Sequence, residues 1–193
     1  LVLLPLLWVE GVRAVDCPQS NYELTTQAEV DALGASNCTR VTGYLYIGNS
    51  SNISNLNALT NLVAVSGSLT IDNNDNLANV DGLLNVEAVG GSLTISSNAS
   101  ILNIDGLVSI VSVGGSLVIS SNDKLNNLDG LVSLTDVSGD LQISFNNSLI
   151  GLDGLSNLAS VGGNPVSDGR YCSGTPSGVI CDYDADGRSN PGG

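Results

Sequence analysis

A 24-residue unit recurs five times between Val41 and Ser160 without insertion or deletion, starting at Val41, Val65, Val89, Val113 and Val137. A sixth start at Val161 breaks down at Pro165. A fixed period in this range predicts a solenoid, in which each unit buries its apolar side only by stacking on its neighbours. The chain has 193 residues, room for one such domain plus short end pieces.

Counted from its Val, each unit is aliphatic at the first, fifth, seventh, thirteenth, sixteenth, nineteenth and twenty-second places. The fifth is always Leu and the seventh always Ile, as in Leu45-Tyr46-Ile47 and Leu93-Thr94-Ile95. This period-two alternation predicts a short strand with Leu and Ile inward. From the thirteenth place the spacing becomes three, which suits short extended or 3₁₀ pieces that wrap the chain round. The fold class is therefore mainly β, a parallel β-helix or leucine-rich-repeat-like solenoid of five 24-residue turns. An isolated unit lacks the ladder of stacked strands and should not fold alone.

Three polar or small positions recur with the aliphatics. The third place is always Gly (Gly43, Gly67, Gly91, Gly115, Gly139), read as a positive φ or a tight corner before the strand. The tenth is Ser50 and then Asn74, Asn98, Asn122 and Asn146, which predicts an inward ladder of amides bonding the backbone of adjacent turns. Asp-Gly at Asp81, Asp105, Asp129 and Asp153, with Asn57-Ala58 in the first unit, predicts a turn. A file of carboxylates along that edge also raises the option of a cation channel.

The ends read differently. Leu1–Val9 is apolar but too short to span a bilayer, and Val12-x-Ala14 resembles a small-residue cleavage pattern, so 1–14 is read as a secretory signal peptide. Its basic start is absent and the chain has no Met, so the sequence is read as a piece lacking its first residues. Residues 15–40 form a cap: Thr26 with Glu29 makes a capping box, a helix follows over Gln27–Leu33, Gly34 ends it, and Val30 and Leu33 plug the core. The solenoid is assigned to 41–164, and 165–193 to a disulfide loop and acidic tail. No later stretch has the length and uniform apolarity of a transmembrane helix.

Four cysteines suit an exported chain. Five turns of about 4.8 Å separate the ends by roughly 24 Å, whereas a disulfide needs Cα atoms within about 7 Å. The pairs are therefore Cys17–Cys38 and Cys172–Cys181. A cysteine metal site is excluded for lack of His and of any C-x-x-C spacing.

The short helix, then Asn37-Cys38-Thr39-Arg40-Val41-x-Gly43-x-Leu45-x-Ile47, then repeats of L-x-x-L-x-G-L-x-x-L, resembles the receptor L-domain group over about residues 22–164. The resemblance implies a right-handed solenoid that binds or scaffolds outside the cell rather than a catalyst. The units here are very regular and lack large loops, so no ligand residue is carried over from the receptors.

Composition narrows the function. The formal charge of −14, from 19 acids against 5 bases, leaves no basic stripe for nucleic acid or anionic membrane. With no His, neither a Ser-His-Asp triad nor a His-ligated metal is available, and Lys124 is the one base inside the five units. An enzyme is not expected; a carbohydrate-active β-helix is the alternative. The outward strand face should carry Tyr44, Tyr46, Ser68, Thr70, Ser92, Thr94, Ser116, Val118, Asp140 and Gln142. Within it, Tyr44, Tyr46, Ser68, Thr70, Ser92, Thr94, Ser116 and Gln142 are the candidate ligand-binding residues for an extracellular protein or glycan. Ice binding by spaced Thr and Ser is a further alternative. In the tail, Asp182-x-Asp184-x-Asp186-Gly187-x-x-Asn190 is similar to calcium loops, with Asp182, Asp184, Asp186 and Asn190 as ligands. Glycosylation sequons at Asn37, Asn49, Asn52, Asn98 and Asn146 matter only in a host that glycosylates.

Overall fold

The computed structural model describes residues 14–163 and, beyond them, three short strands at 165–167, 173–175 and 178–180. Two parallel sheets and little helix make up a solenoid-like stack. The odd-numbered strands form the larger sheet: β1 (Tyr22–Leu24), β3 (Leu45–Ser50), β5 (Leu69–Asn74), β7 (Leu93–Ser96), β9 (Leu117–Ser120), β11 (Leu141–Ser144) and β13 (Pro165–Ser167). The even-numbered ones are two residues each and form the second: β2 (Arg40–Val41), β4 (Ala64–Val65), β6 (Ala88–Val89), β8 (Ser112–Val113), β10 (Asp136–Val137) and β12 (Ser160–Val161). A small antiparallel pair, β14 (Ser173–Thr175) and β15 (Gly178–Ile180), follows.

Register follows the period. Leu45, Leu69, Leu93, Leu117 and Leu141 face one another in a single file, as do Ile47, Ile71, Ile95, Ile119 and Ile143. Every aliphatic of the seven repeating places is exposed by 5% or less, so the pattern marks one continuous core. The three-residue spacing becomes 3₁₀ turns at Asn57–Leu59, Asp81–Leu83, Asp105–Leu107, Asp129–Leu131 and Asp153–Leu155. Each turn places its last Leu inward.

The tenth-place amides form the expected interior ladder. Asn98 Oδ1 accepts from the backbone and side-chain N–H groups of Asn74, at 3.1 Å each. Asn98 Nδ2 donates to Ile71 O at 3.0 Å and to Ser96 O at 2.8 Å. Asn122 and Asn146 repeat the scheme.

Of the two roles expected of the third-place glycines, the corner before the strand is present, since each lies in a bend, and the positive φ is not. They lie outside the left-handed region; a Cβ on Gly67 would meet Gly43 O at 2.7 Å, so the missing side chain lets successive turns approach. The glycine of each Asp-Gly likewise faces a carbonyl of the preceding turn. Positive φ falls instead at the ninth place, on Asn49, Asn73, Ser97, Ser121 and Phe145.

At the cap, helix α1 (Gln27–Ala35) starts with the full capping box. Glu29 N–H donates to Thr26 Oγ1 at 3.3 Å, and Glu29 Oε2 accepts from Thr26 N–H at 2.9 Å. Gly34 does not end the helix. It lies within it because Ala58 of the first 3₁₀ turn packs against its bare Cα, and the chain turns left-handed at Asn37. Val30 and Leu33 are buried as the plug. Cys17 and Cys38 are bonded, with Cα atoms 4.8 Å apart.

At the other end the larger sheet continues past the expected limit at residue 164. β13 pairs in parallel with β11, Pro165 opposite Leu141. Leu45, Leu69, Leu93 and Leu117 each donate their N–H to the next turn. Pro165 occupies that place with no N–H to offer, which suits a terminal strand and blunts further pairing. Cys172, Cys181, the signal-peptide segment up to residue 13 and the calcium-type residues Asp182, Asp184, Asp186 and Asn190 lie outside the described residues.

Candidate binding face

Because Leu and Ile of each odd strand point inward, the residues between them point out, and register lines them up across turns. Glu23, Tyr46, Thr70, Thr94, Val118 and Gln142 form one such file. Tyr44, Ser68, Ser92, Ser116 and Asp140 precede the strands in a second. From Ser68 to Ser116 the side chains are short and half-buried, so this part of the face is low and even.

The serines of the second file are partly committed to the stack. Ser68 Oγ accepts from Ser92 N–H at 3.1 Å, Ser92 Oγ from Ser116 N–H at 3.0 Å, and Ser116 Oγ from Asp140 N–H at 3.0 Å. Asn21 Oδ1 does the same for Tyr44 N–H at 3.0 Å, so the cap imitates a turn. Each hydroxyl keeps its hydrogen for donation, and the threonines keep both functions.

The face changes character at the first unit. Glu23, Tyr44, Tyr46, Asn49, Ser68 and Thr70 line a shallow, open depression of about 560 Å³. Tyr44, 39% exposed, leans toward the cap and donates its hydroxyl to Glu23 Oε1 at 2.8 Å. The Tyr46 ring lies the other way along its strand, across Gly48. A Cβ at residue 48 would stand 2.7 Å from Tyr46 Oη and 2.9 Å from Cζ. Gly48 thus makes room for the ring to lie flat. Asp72 pairs in register with Gly48, and its Oδ1 accepts from Ser96 Oγ at 2.5 Å. The hydrogen bond to Glu23 pushes the Tyr44 phenol above its ordinary pKa. Partial burial raises Tyr46, aided by the charges of Asp72 and Glu23.

Six of the eight candidate ligand residues, from Tyr44 to Thr94, therefore lie on adjoining rungs, and four of them line the depression. Ser116 and Gln142 continue the same face farther on. Glu23 and Asn49 are the lining residues that the repeat pattern did not place on this face, and the charge of Asp72 acts on Tyr46 from beside it.

Elsewhere the chemistry is structural. The acids of the Asp-Gly corners are exposed, and among the described residues no group of three or more acidic or cysteine side chains is placed to hold a metal ion. An unanticipated file of asparagines supports those corners. Asn55, Asn79, Asn103 and Asn127 each accept, through Oδ1, the N–H two residues on. This is an Asx turn, and its signal was the recurrent Asn two places before the corner. Arg40 is paired with Asp16 at 2.6 Å. A second depression, of about 350 Å³, lies on the cap beside Tyr22, Leu24 and Glu29, whose carboxylate is occupied by the helix start. Of the sequon asparagines, Asn98 and Asn146 are locked in the core ladder, while Asn37, Asn49 and Asn52 are exposed. Among the described residues no helix is long and apolar enough to cross a membrane.

No curated protein and no solved structure matches the chain. Residues 37–108, from just before the second cysteine of the cap disulfide into the third unit, match the family model of the receptor L domain. Over that segment the chain is similar to the receptor L domain.

Proposed function

We propose that this protein is a non-enzymatic, extracellular binding or scaffolding module, secreted or held at a cell surface, that presents its larger β-sheet to a protein or glycan ligand. The frame is a right-handed solenoid of five 24-residue turns, and its regularity holds the face flat. The family supports this reading, since the receptor L domain is a non-enzymatic ligand-binding unit typical of the extracellular side. The cap disulfide is in keeping with an oxidising compartment.

The observation that carries the reading is the placement of Tyr44 and Tyr46 at one end of an even, hydroxyl-bearing surface. Tyrosines offer large contact area at low conformational cost and are enriched where partners bind. The short serines and threonines beside them let a ligand lie close to the sheet. A glycan and peptide array on the full chain tests this, run with and without calcium because of the acidic tail motif. Tyr44→Ala combined with Tyr46→Ala should weaken the captured ligand by roughly ten-fold or more. Asp105→Asn, on the 3₁₀ side, should leave it unchanged. A ligand held equally by the tyrosine double variant would remove the face from consideration.

A further inference from the structure

We propose that the Tyr44–Tyr46 depression receives a lysine or arginine side chain from an extended basic peptide segment of a partner protein. The inference rests on the reading of this face as the binding surface, and adds which chemistry it selects.

Charge complementarity is the main argument. Glu23 stands at the depression and directly opposite Tyr46 in register, and Asp72 lies one turn on, opposite Gly48. Two carboxylates thus flank one aromatic ring. Among the described residues the basic side chains are Arg40, which pairs with Asp16, and Lys124, in the fourth unit. Neither belongs to this part of the face. The Glu23 contact that the structure shows is a phenol, and the Asp72 contact is a serine hydroxyl; both leave the negative charge in place. The same placement is in keeping with the phenols: the hydrogen bond to Glu23 raises Tyr44, and burial raises Tyr46 with a smaller contribution from the charges of Asp72 and Glu23.

A cation over a tyrosine face and beside a carboxylate gains from both. An anionic glycan or an acidic peptide meets like charge at the same spot, in a chain whose formal charge is already −14. The depression is shallow and open, which fits a single side chain lying across it better than an engulfed small molecule. Beyond it, Ser68, Thr70, Ser92 and Thr94 provide a low hydroxyl floor along which an extended backbone could run.

The test measures binding of a short Lys-Arg-Gly peptide to the full chain, at low and high salt, beside an acidic peptide and a panel of neutral glycans. The basic peptide should bind and weaken with salt, and the acidic peptide should not bind. Glu23→Gln and Asp72→Asn should each weaken the basic peptide by about two- to five-fold. Tyr46→Leu, which keeps apolar bulk but removes the ring, should weaken it by roughly three- to ten-fold. Tyr44→Phe should keep it, since the ring stays and Glu23 is released from the phenol. A double Asp105→Asn, Asp129→Asn variant changes net charge as much as both face variants together, but away from the face, and should leave binding intact. Equal losses in that distal variant would mean bulk attraction and overturn the proposal. Capture of a neutral glycan, sensitive to Tyr46→Leu but not to Glu23→Gln or salt, would overturn it while keeping the face. Binding of any probe that ignores both tyrosines would remove the face itself.

Discussion

The unit beginning at Val89 and the unit beginning at Val41 have the same aliphatic places but different polar ones. In the former, Asn98 bonds to Asn74 on one side and Asn122 on the other, the corner is Asp105-Gly106, and the outward side chains are Ser92, Thr94 and Ser96. In the latter the ladder place holds Ser50, the corner is Asn57-Ala58, and the outward positions are Tyr44, Tyr46 and Gly48. Ser50 Oγ accepts from Asn52 and Ile53 of its own turn, at 3.2 Å each. Asn74 Oδ1, which would have received the next amide, is buried with no hydrogen-bond partner among the described residues. The middle unit is built for propagation. The first unit gives up part of that continuity where the chain meets its cap, and its outward face carries the aromatic and acidic groups. Departures from local rules that bunch in one place mark a junction or a site; this unit is the junction with the cap, and it is where the binding site is proposed.

The sharpest way to break the comparison is to damage the middle. Asn98→Ala removes an acceptor for two N–H groups of Asn74 and a donor to Ile71 O, Ser96 O and Asn122 Oδ1, all within the stack. Several buried groups lose partners together, so the expected loss is roughly 3–5 kcal/mol, read as a lower urea midpoint. A loss no larger than that of an exposed Asn85→Ala would show that the ladder carries little of the stability.

How much of this was legible in the sequence follows from the same contrast. The period and the invariant aliphatics gave the strands, the core file and the 3₁₀ turns, because one-dimensional spacing maps directly onto burial. The Thr26–Glu29 pair and the cysteine spacing gave the cap. The corner at the third-place glycines was legible, but the close approach of turns that they permit was not, because it depends on a carbonyl one turn away rather than on local backbone. The left-handed corner was hidden because its ninth-place residues range from Asn49 to Phe145, a type that disfavours positive φ. Glu23 was hidden for a geometric reason. Stepping back 24 residues from Tyr46 lands on Tyr22, but the cap strand pairs with an offset of 23, so Glu23 stands there instead. The acidic partner of the tyrosines is thus a product of the junction and not of the repeat.

The comparison sharpens if the first unit is made like the middle ones. Ser50→Asn places an amide donor where Asn74 Oδ1 lacks one and carries the ladder one turn toward the cap. The serine's service to Asn52 and Ile53 is lost, but Ile101 in the third unit manages with a backbone bond to Asn98 O at 3.3 Å. The expected net gain is about 1 kcal/mol by chemical denaturation. A destabilised variant would mean that the hydroxyl of Ser50 matters more to its own turn than the unmet acceptor does to the core.

The smallest effect concerns the cap that the first unit leans on. Glu29 is held below the usual carboxylate range, first by the Thr25 backbone N–H and then by bonds from Thr26 and the Thr25 hydroxyl. A carboxyl depressed in the folded state contributes stability above its unfolded pKa, and that contribution disappears as pH falls through the folded value. Glu29→Gln keeps an acceptor but does not titrate. Denaturation midpoints of the two proteins should therefore differ at neutral pH, with the wild type higher, and converge in acid below the ordinary glutamate range. The carboxylate is open to solvent, so the separation should be slight, and added salt should shrink it further. Because Gln27 joins α1 to the first unit through Asn52 Oδ1 and the Ser54 N–H, loosening the helix start should reach that unit before the middle ones. Hydrogen exchange in mild acid should accordingly rise at Asn52 and Ser54 while the amides of Asn98 and Asn122 stay protected; a uniform rise along the stack would show that cap and repeats open as one cooperative body.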